Sequence, residues 1–83
     1  MKVIVRFFAL YRERAGTSQR TYDLSGGATV SHLLKEIREH YPDLAPPDVE
    51  IVTAVNTEYV GRDMVLSEGD EVALIPPVSG GRE

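Results

Sequence analysis

Hydrophobic positions along this chain follow two rhythms. From Lys2 to Phe8 they alternate, with Val3, Val5 and Phe7 on one face and Ile4, Arg6 and Phe8 on the other, which predicts a first strand. Gln19 to Leu24 alternates again, with Arg20, Tyr22 and Leu24 set against Thr21 and Asp23, and a hairpin-like return to the first strand is the economical connection. Between the two, Leu10 to Ala15 predicts a short helical run that Gly16 stops in the left-handed conformation. Ser25-Gly26-Gly27 reads as a turn. The second rhythm starts at Thr29, a good N-cap: Val30, Leu33, Leu34, Ile37 and Tyr41 recur at helical spacing. Lys35, Glu36, Arg38 and Glu39 fill the solvent side, and Pro42 ends the helix by disfavouring the α conformation at Tyr41.

Beyond the extended Pro46-Pro47 loop the strand rhythm returns. Val49 to Asn56 is rich in β-branched residues and predicts a third strand. Asn56-Thr57-Glu58 reads as a tight turn, Tyr59-Val60 as a strand stub, Gly61-Arg62-Asp63 as another turn, and Met64-Val65-Leu66 as packing under the body. Ser67-Glu68-Gly69-Asp70 carries turn chemistry, with Gly69 free to take positive φ. Glu71 to Ile75 is the last strand, Val72 and Leu74 opposing Ala73 and Ile75. The order predicts an α+β domain, one mixed sheet with one main helix on one face. That helix would cover Val3, Val5, Phe7, Val72 and Leu74. Ile4, Phe8, Ala73 and Ile75 remain on the far face, and an uncovered apolar patch of that kind marks a binding surface.

Composition narrows the function classes. Eighty-three residues suffice for one domain, here 1–75, followed by a flexible tail, 76–83. The net charge is −4 and the basic residues are scattered, which argues against nucleic-acid binding, since phosphate contacts need clustered Lys and Arg. No long apolar run suggests a membrane span, and the alternating start, Met1 to Arg6, has no signal-peptide pattern, so the expected location is the cytoplasm. The absence of cysteine excludes a disulfide framework and a thiol nucleophile. His32 and His40, eight apart and without carboxylates in ligand spacing, read as solvated histidines. Asp70-Glu71, Asp43 and Asp48 belong to turns and surfaces, and Ser25-Gly26-Gly27 lacks the Lys of a phosphate loop. Ser79 has no base in pattern. No metal-binding or cofactor-binding residue is assigned.

The candidate chemistry sits near the end. Pro76-Pro77 cannot continue a sheet ladder, because proline has no backbone N–H, and it stiffens the exit from the last strand. Val78-Ser79-Gly80-Gly81 is small, and Gly80-Gly81 lets other backbone approach on every side. Extended, 76–81 projects about 20 Å, which suits a terminal group that must enter another protein's active site.

Several blocks together resemble one family. Phe7-Phe8-Ala9 closes the first strand, Arg12-Glu13 lies in the short helix, and Ala54-Val55-Asn56 lies in the third strand. Gly69-Asp70-Glu71-Val72-Ala73 and Pro76-Pro77-Val78-Ser79-Gly80-Gly81, in that order near the end, are the specific part. The chain resembles the small subunits of molybdopterin synthase, which are ubiquitin-like sulfur carriers. The resemblance implies a β-grasp fold with the first and last strands parallel at the sheet's centre. It also implies a glycine carboxylate that an ATP-dependent, ubiquitin-activating-like enzyme adenylates before it becomes a thiocarboxylate. The sulfur then passes to a cyclic pterin phosphate in the active site of the large synthase subunit, for molybdenum cofactor biosynthesis. Carried over residue by residue, the sulfur-bearing position is Gly81 and the partner contacts fall on Phe8, Tyr59 and Ile75. Such a chain is a non-catalytic, positioning member of a hetero-oligomer, with the catalytic groups in the large subunit.

One departure from the family pattern is the continuation to Arg82-Glu83, which leaves the Gly81 carboxyl as an amide. A metallopeptidase that trims the extension restores the acid, and this is the favoured reading. The alternatives are a cloning remnant or the start of a fused domain. Three other readings of function stay open: a ubiquitin-like modifier joined to lysines through the same glycine, a sulfur carrier for thiamine, cysteine or tRNA thiolation, and a plain interaction domain indifferent to loss of Gly81.

Overall fold

The computed structural model describes residues 1–76. Seven elements follow in order: β1 (Lys2–Phe7), α1 (Ala9–Ala15), β2 (Gln19–Asp23), α2 (Val30–His40), β3 (Val52–Val55), β4 (Glu58–Tyr59) and β5 (Glu71–Ile75). The five strands form one sheet in the order β2-β1-β5-β3-β4. β1 and β5 run parallel at its centre, and every other pairing is antiparallel. With α2 across one face, this is the ubiquitin-like β-grasp arrangement.

The two periodicities meet on the inner face. Val3, Val5, Phe7, Val72 and Leu74 are buried beneath Val30, Leu33, Leu34 and Ile37 of α2. Each such side chain taken out of water contributes about 1.5–3 kcal/mol before conformational entropy is charged. At its far end the helix closes with the Tyr41 ring edge-on to Phe7, centroids 5.5 Å apart. Tyr41 takes φ −129°, ψ 75°, out of the helix and ahead of Pro42. The start of α2 is a reciprocal cap. Thr29 Oγ1 accepts the His32 N–H, and His32 Nδ1 accepts the Thr29 N–H at 3.0 Å. His32 thus does what Glu or Gln does in the usual capping box, a role that its reading as a solvated side chain missed.

Several boundaries differ from the sequence expectation. The third strand begins at Val52, not Val49, because the segment before it is held elsewhere. The Val49 N–H closes a turn onto Pro46 O, and the Val49 carbonyl is taken by the Arg38 guanidinium. Arg38 also donates to Ala45 O and Pro46 O, so it staples the 45–49 loop to α2 instead of facing solvent. β4 pairs Glu58 and Tyr59, one residue earlier than expected. Of Met64-Val65-Leu66, Leu66 is buried and Met64 packs on the core, but Val65 is 56% exposed, since its backbone bridges Thr29 and turns the side chain outward.

Candidate functional site

The outer face of the sheet is fixed by strand register. β1 contributes Lys2, Ile4 and Arg6, and β5 contributes Glu71, Ala73 and Ile75. Antiparallel pairing puts Val52 opposite Ile75 and Ala54 opposite Ala73, and Tyr59 comes next to Ala54. Among the described residues no helix covers this side. It is not uniform: Arg6 and Glu71 form an exposed ion pair of 2.8 Å diagonally across its middle rows, while Phe8, Ile75 and Val52 make the end row apolar.

Of the expected contact residues, Phe8 is 43% exposed, Tyr59 is 73% exposed and Ile75 is half-buried between its strand neighbours. Phe8 and Ile75 share the apolar end, and Tyr59 lies one row along, on the edge strand. Val52, 41% exposed and paired with Ile75, belongs to the same surface. The sequence carried its signal, an alternation of Val52 and Ala54 against Thr53 and Val55, but β-branching drew notice to the strand and not to the face. Pro76 follows directly, so the apolar end adjoins the root of the candidate tail. Pro77, Val78, Ser79, Gly80, Gly81 and the Arg82-Glu83 extension lie outside the described residues.

Phe8 is placed by a backbone device. It is extended, with φ −122° and ψ 153°, and Ala9 after it takes φ 48°. The Phe8 carbonyl accepts the Tyr11 and Arg12 N–H groups, which starts α1, and Gly16 at φ 77° ends it. Tyr59 is placed by a two-residue hairpin, Asn56-Thr57, with φ of 50° and 74°, the type I′ pattern. Asp70 was assigned to a surface turn, yet it is 8% exposed. Its carboxylate accepts the Ser67 N–H at 2.8 Å and Asn56 Nδ2 at 2.9 Å, which satisfies a charge the fold would otherwise leave stranded.

A depression of about 720 Å³ lies on the helix side and is lined by both Lys35 and Arg62 and the acids Glu39, Asp48 and Glu50. Its Arg38 already serves the 45–49 loop. Among the described residues no three His, Asp or Glu side chains gather around a common point, and no helix is long and apolar enough to cross a membrane. His40 is not isolated in solvent: its Nε2 lies 2.8 Å from Arg20 Nη2, and Arg20 also donates to Tyr41 Oη at 3.0 Å. The bond to Tyr41 raises the Arg20 pKa further, and burial raises that of Tyr22 beside it.

Comparison with known proteins places this geometry. The sequence matches the ThiS family over residues 5–81. It is 42% identical over 83 residues to the molybdopterin synthase sulfur carrier subunit of Chlamydomonas reinhardtii, covering 98% of this chain and 100% of that protein. It is 34% identical over 92 residues to small archaeal modifier protein 3 of Haloferax volcanii, covering 98% and 100%. The fold superposes on a putative molybdopterin converting factor, subunit 1, from Pyrococcus furiosus with a TM-score of 0.83 at 34% identity, covering 94% and 99%.

Proposed function

The chain belongs to the ThiS family, and from that premise we propose that it is the sulfur carrier subunit of a molybdopterin synthase. The observation that carries the reading is the adjacency of two features. The apolar row Phe8, Ile75 and Val52 ends at Pro76, where the Pro-Pro-Val-Ser-Gly-Gly sequence begins. A partner that grips that row has the tail aimed at it, and positioning of this kind is the carrier's contribution to rate.

In this reading 1–75 is the gripping domain and 76–83 the tail, with Gly81 as the acyl terminus. A peptidase, for which a metallopeptidase is the proposed class, hydrolyses the Gly81–Arg82 bond and frees the carboxylate. A carboxylate is a poor electrophile, so an ATP-dependent adenylating enzyme converts it to an acyl-adenylate, and a sulfur donor displaces AMP to leave the thiocarboxylate. The thioacid is ionised at neutral pH and attacks through sulfur. The large synthase subunit binds the pterin substrate and supplies the groups that stabilise the developing charge. Phe8, Tyr59 and Ile75 are the proposed contacts with that subunit.

Reconstitution tests this. A chain ending at Gly81, charged by an adenylating enzyme and mixed with a large subunit, converts the pterin precursor. The Gly81→Val variant leaves it unconverted while keeping the wild-type melting curve. Conversion by Gly81→Val would remove the carrier assignment. The identity to an archaeal modifier protein supports a second reading, in which the same glycine is joined to lysine amines. Diglycine remnants on lysines in digests of host extracts, absent when this chain is deleted, would favour it.

A further inference from the structure

Among the described residues three non-glycine positions adopt left-handed backbone: Ala9, Asn56 and Thr57. All three lie within three residues of Phe8 or Tyr59, the exposed aromatic side chains on the tail-root surface. A β-branched residue such as Thr57 at φ 74° is a genuine outlier, and such conformations persist only where surrounding contacts enforce them. The turn that contains Thr57 is anchored by backbone pairing and by the side chain of the residue before it, Asn56.

β4 has little of its own to hold it. It is a two-residue edge strand, paired through Ala54 with Tyr59 and Val55 with Glu58, and continued by a single bond from the Val60 N–H to Thr53 O. The turn that feeds it is anchored across the sheet instead. Asn56 N–H donates to Glu71 O at 2.8 Å, as in an ordinary antiparallel rung. The second bond of that rung is not a backbone bond: the Glu71 N–H donates to Asn56 Oδ1 at 3.0 Å. The side-chain amide thus stands in for a carbonyl that the left-handed turn has rotated away. Its Nδ2 donates to Asp70, whose own carbonyl accepts the Ile4 N–H at 2.9 Å, so the clamp reaches both central strands.

We infer that Asn56 is a positioning residue: its side chain clamps the β3–β4 turn to β5 and thereby fixes Tyr59 on the surface offered to the large subunit. The inference rests on the reading of that face given above. Glycine at 56 permits the same turn without the clamp, so it separates the two roles of the residue. The experiment is a double-mutant cycle on binding to the large subunit, using the chain ending at Gly81 as wild type, Asn56→Gly, Tyr59→Ala and the pair. Asn56→Gly is expected to weaken binding by about fivefold to tenfold, and to cost nothing further once Tyr59 is alanine. Equal losses from Asn56→Gly in both backgrounds, or no loss in either, would overturn the positioning role and leave the interface intact. Unchanged affinity in Tyr59→Ala would instead remove Tyr59 from the interface, and the role of Asn56 with it. A readout without the partner is the contact between the Tyr59 ring and the Ala54 methyl by nuclear Overhauser effect. It is strong in wild type and weakened in Asn56→Gly, and its full retention also overturns the proposal. If Asn56→Gly does not fold, Asp70→Asn serves. Its amide nitrogen must face either the Ser67 N–H or Asn56 Nδ2, so either the clamp bond to Asn56 or the Ser67 bond that orients residue 70 toward Asn56 is lost, and the same effects are expected in milder form.

Discussion

The two faces of the sheet start from the same alternating strands and meet different fates. On the inner face, Val3, Val5, Phe7, Val72 and Leu74 meet the apolar stripe of α2 and are essentially removed from water. On the outer face, Ile4, Ala73 and Ile75 are half-buried by neighbours within the sheet, while Phe8, Val52 and Tyr59 stay exposed. One helix covers one side of a five-stranded sheet, so the other side either becomes polar or finds a partner. Here it is polar near Arg6 and Glu71 and apolar near Ile75, the end that leads into the tail. Burial thus separates side chains that hold the domain together from the side chains proposed to hold it to a partner.

The sharpest way to break this contrast is to truncate one side chain on each face. Leu34→Ala, on the inner side, is expected to destabilise the domain by about 2–5 kcal/mol in chemical denaturation. An unmoved transition would show that α2 does not carry the core. Phe8→Asp or Ile75→Asp, on the outer side, should weaken binding to the large subunit by about 2 kcal/mol or more. Wild-type affinity in calorimetry would show that the apolar end is not the docking surface.

Smaller effects sharpen the picture at the sheet's margins. Thr57→Gly removes a side chain from left-handed backbone and gives the hairpin its preferred Asn-Gly turn, so it should raise stability by about 1 kcal/mol. A lower melting temperature would mean that the Thr57 conformation carries no strain. The smallest effect concerns Tyr22, a buried inner-face residue whose hydroxyl has no hydrogen-bond partner among the described residues. Burial raises its pKa above the ordinary 10.0, partly offset by Arg20. The folded state therefore holds its phenolic proton more tightly than the unfolded chain. Stability is unaffected by this group below pH 10 and falls as pH rises beyond it. Tyr22→Phe should flatten that alkaline loss, and an unchanged slope in pH-dependent denaturation would assign it to other groups.

What could be read from the sequence divides along physical lines. The inner face, the cap at Thr29, the stop at Pro42 and the left-handed Gly16 were legible because periodicity and local sterics act over a few residues. The outer surface was legible in part: Phe8 and Ile75 follow from alternation, whereas Tyr59 came through family resemblance. Contacts between distant residues were not legible. The hold of Arg38 on Val49 shortens β3, the Asn56–Asp70 clamp buries a carboxylate expected at the surface, and His32 caps a helix where Glu or Gln was the residue type to look for. Each depends on a side chain meeting backbone that only the fold brings near.

The central claim is that this scaffold presents a glycine acyl group for sulfur loading, and intact mass spectrometry of the protein isolated from its host tests it most directly. The account predicts a chain ending at Gly81, with a fraction heavier by one exchange of oxygen for sulfur that reverts on treatment with a thiocarboxylate-reactive electrophile. A single species that retains Arg82-Glu83 and never carries sulfur would contradict it.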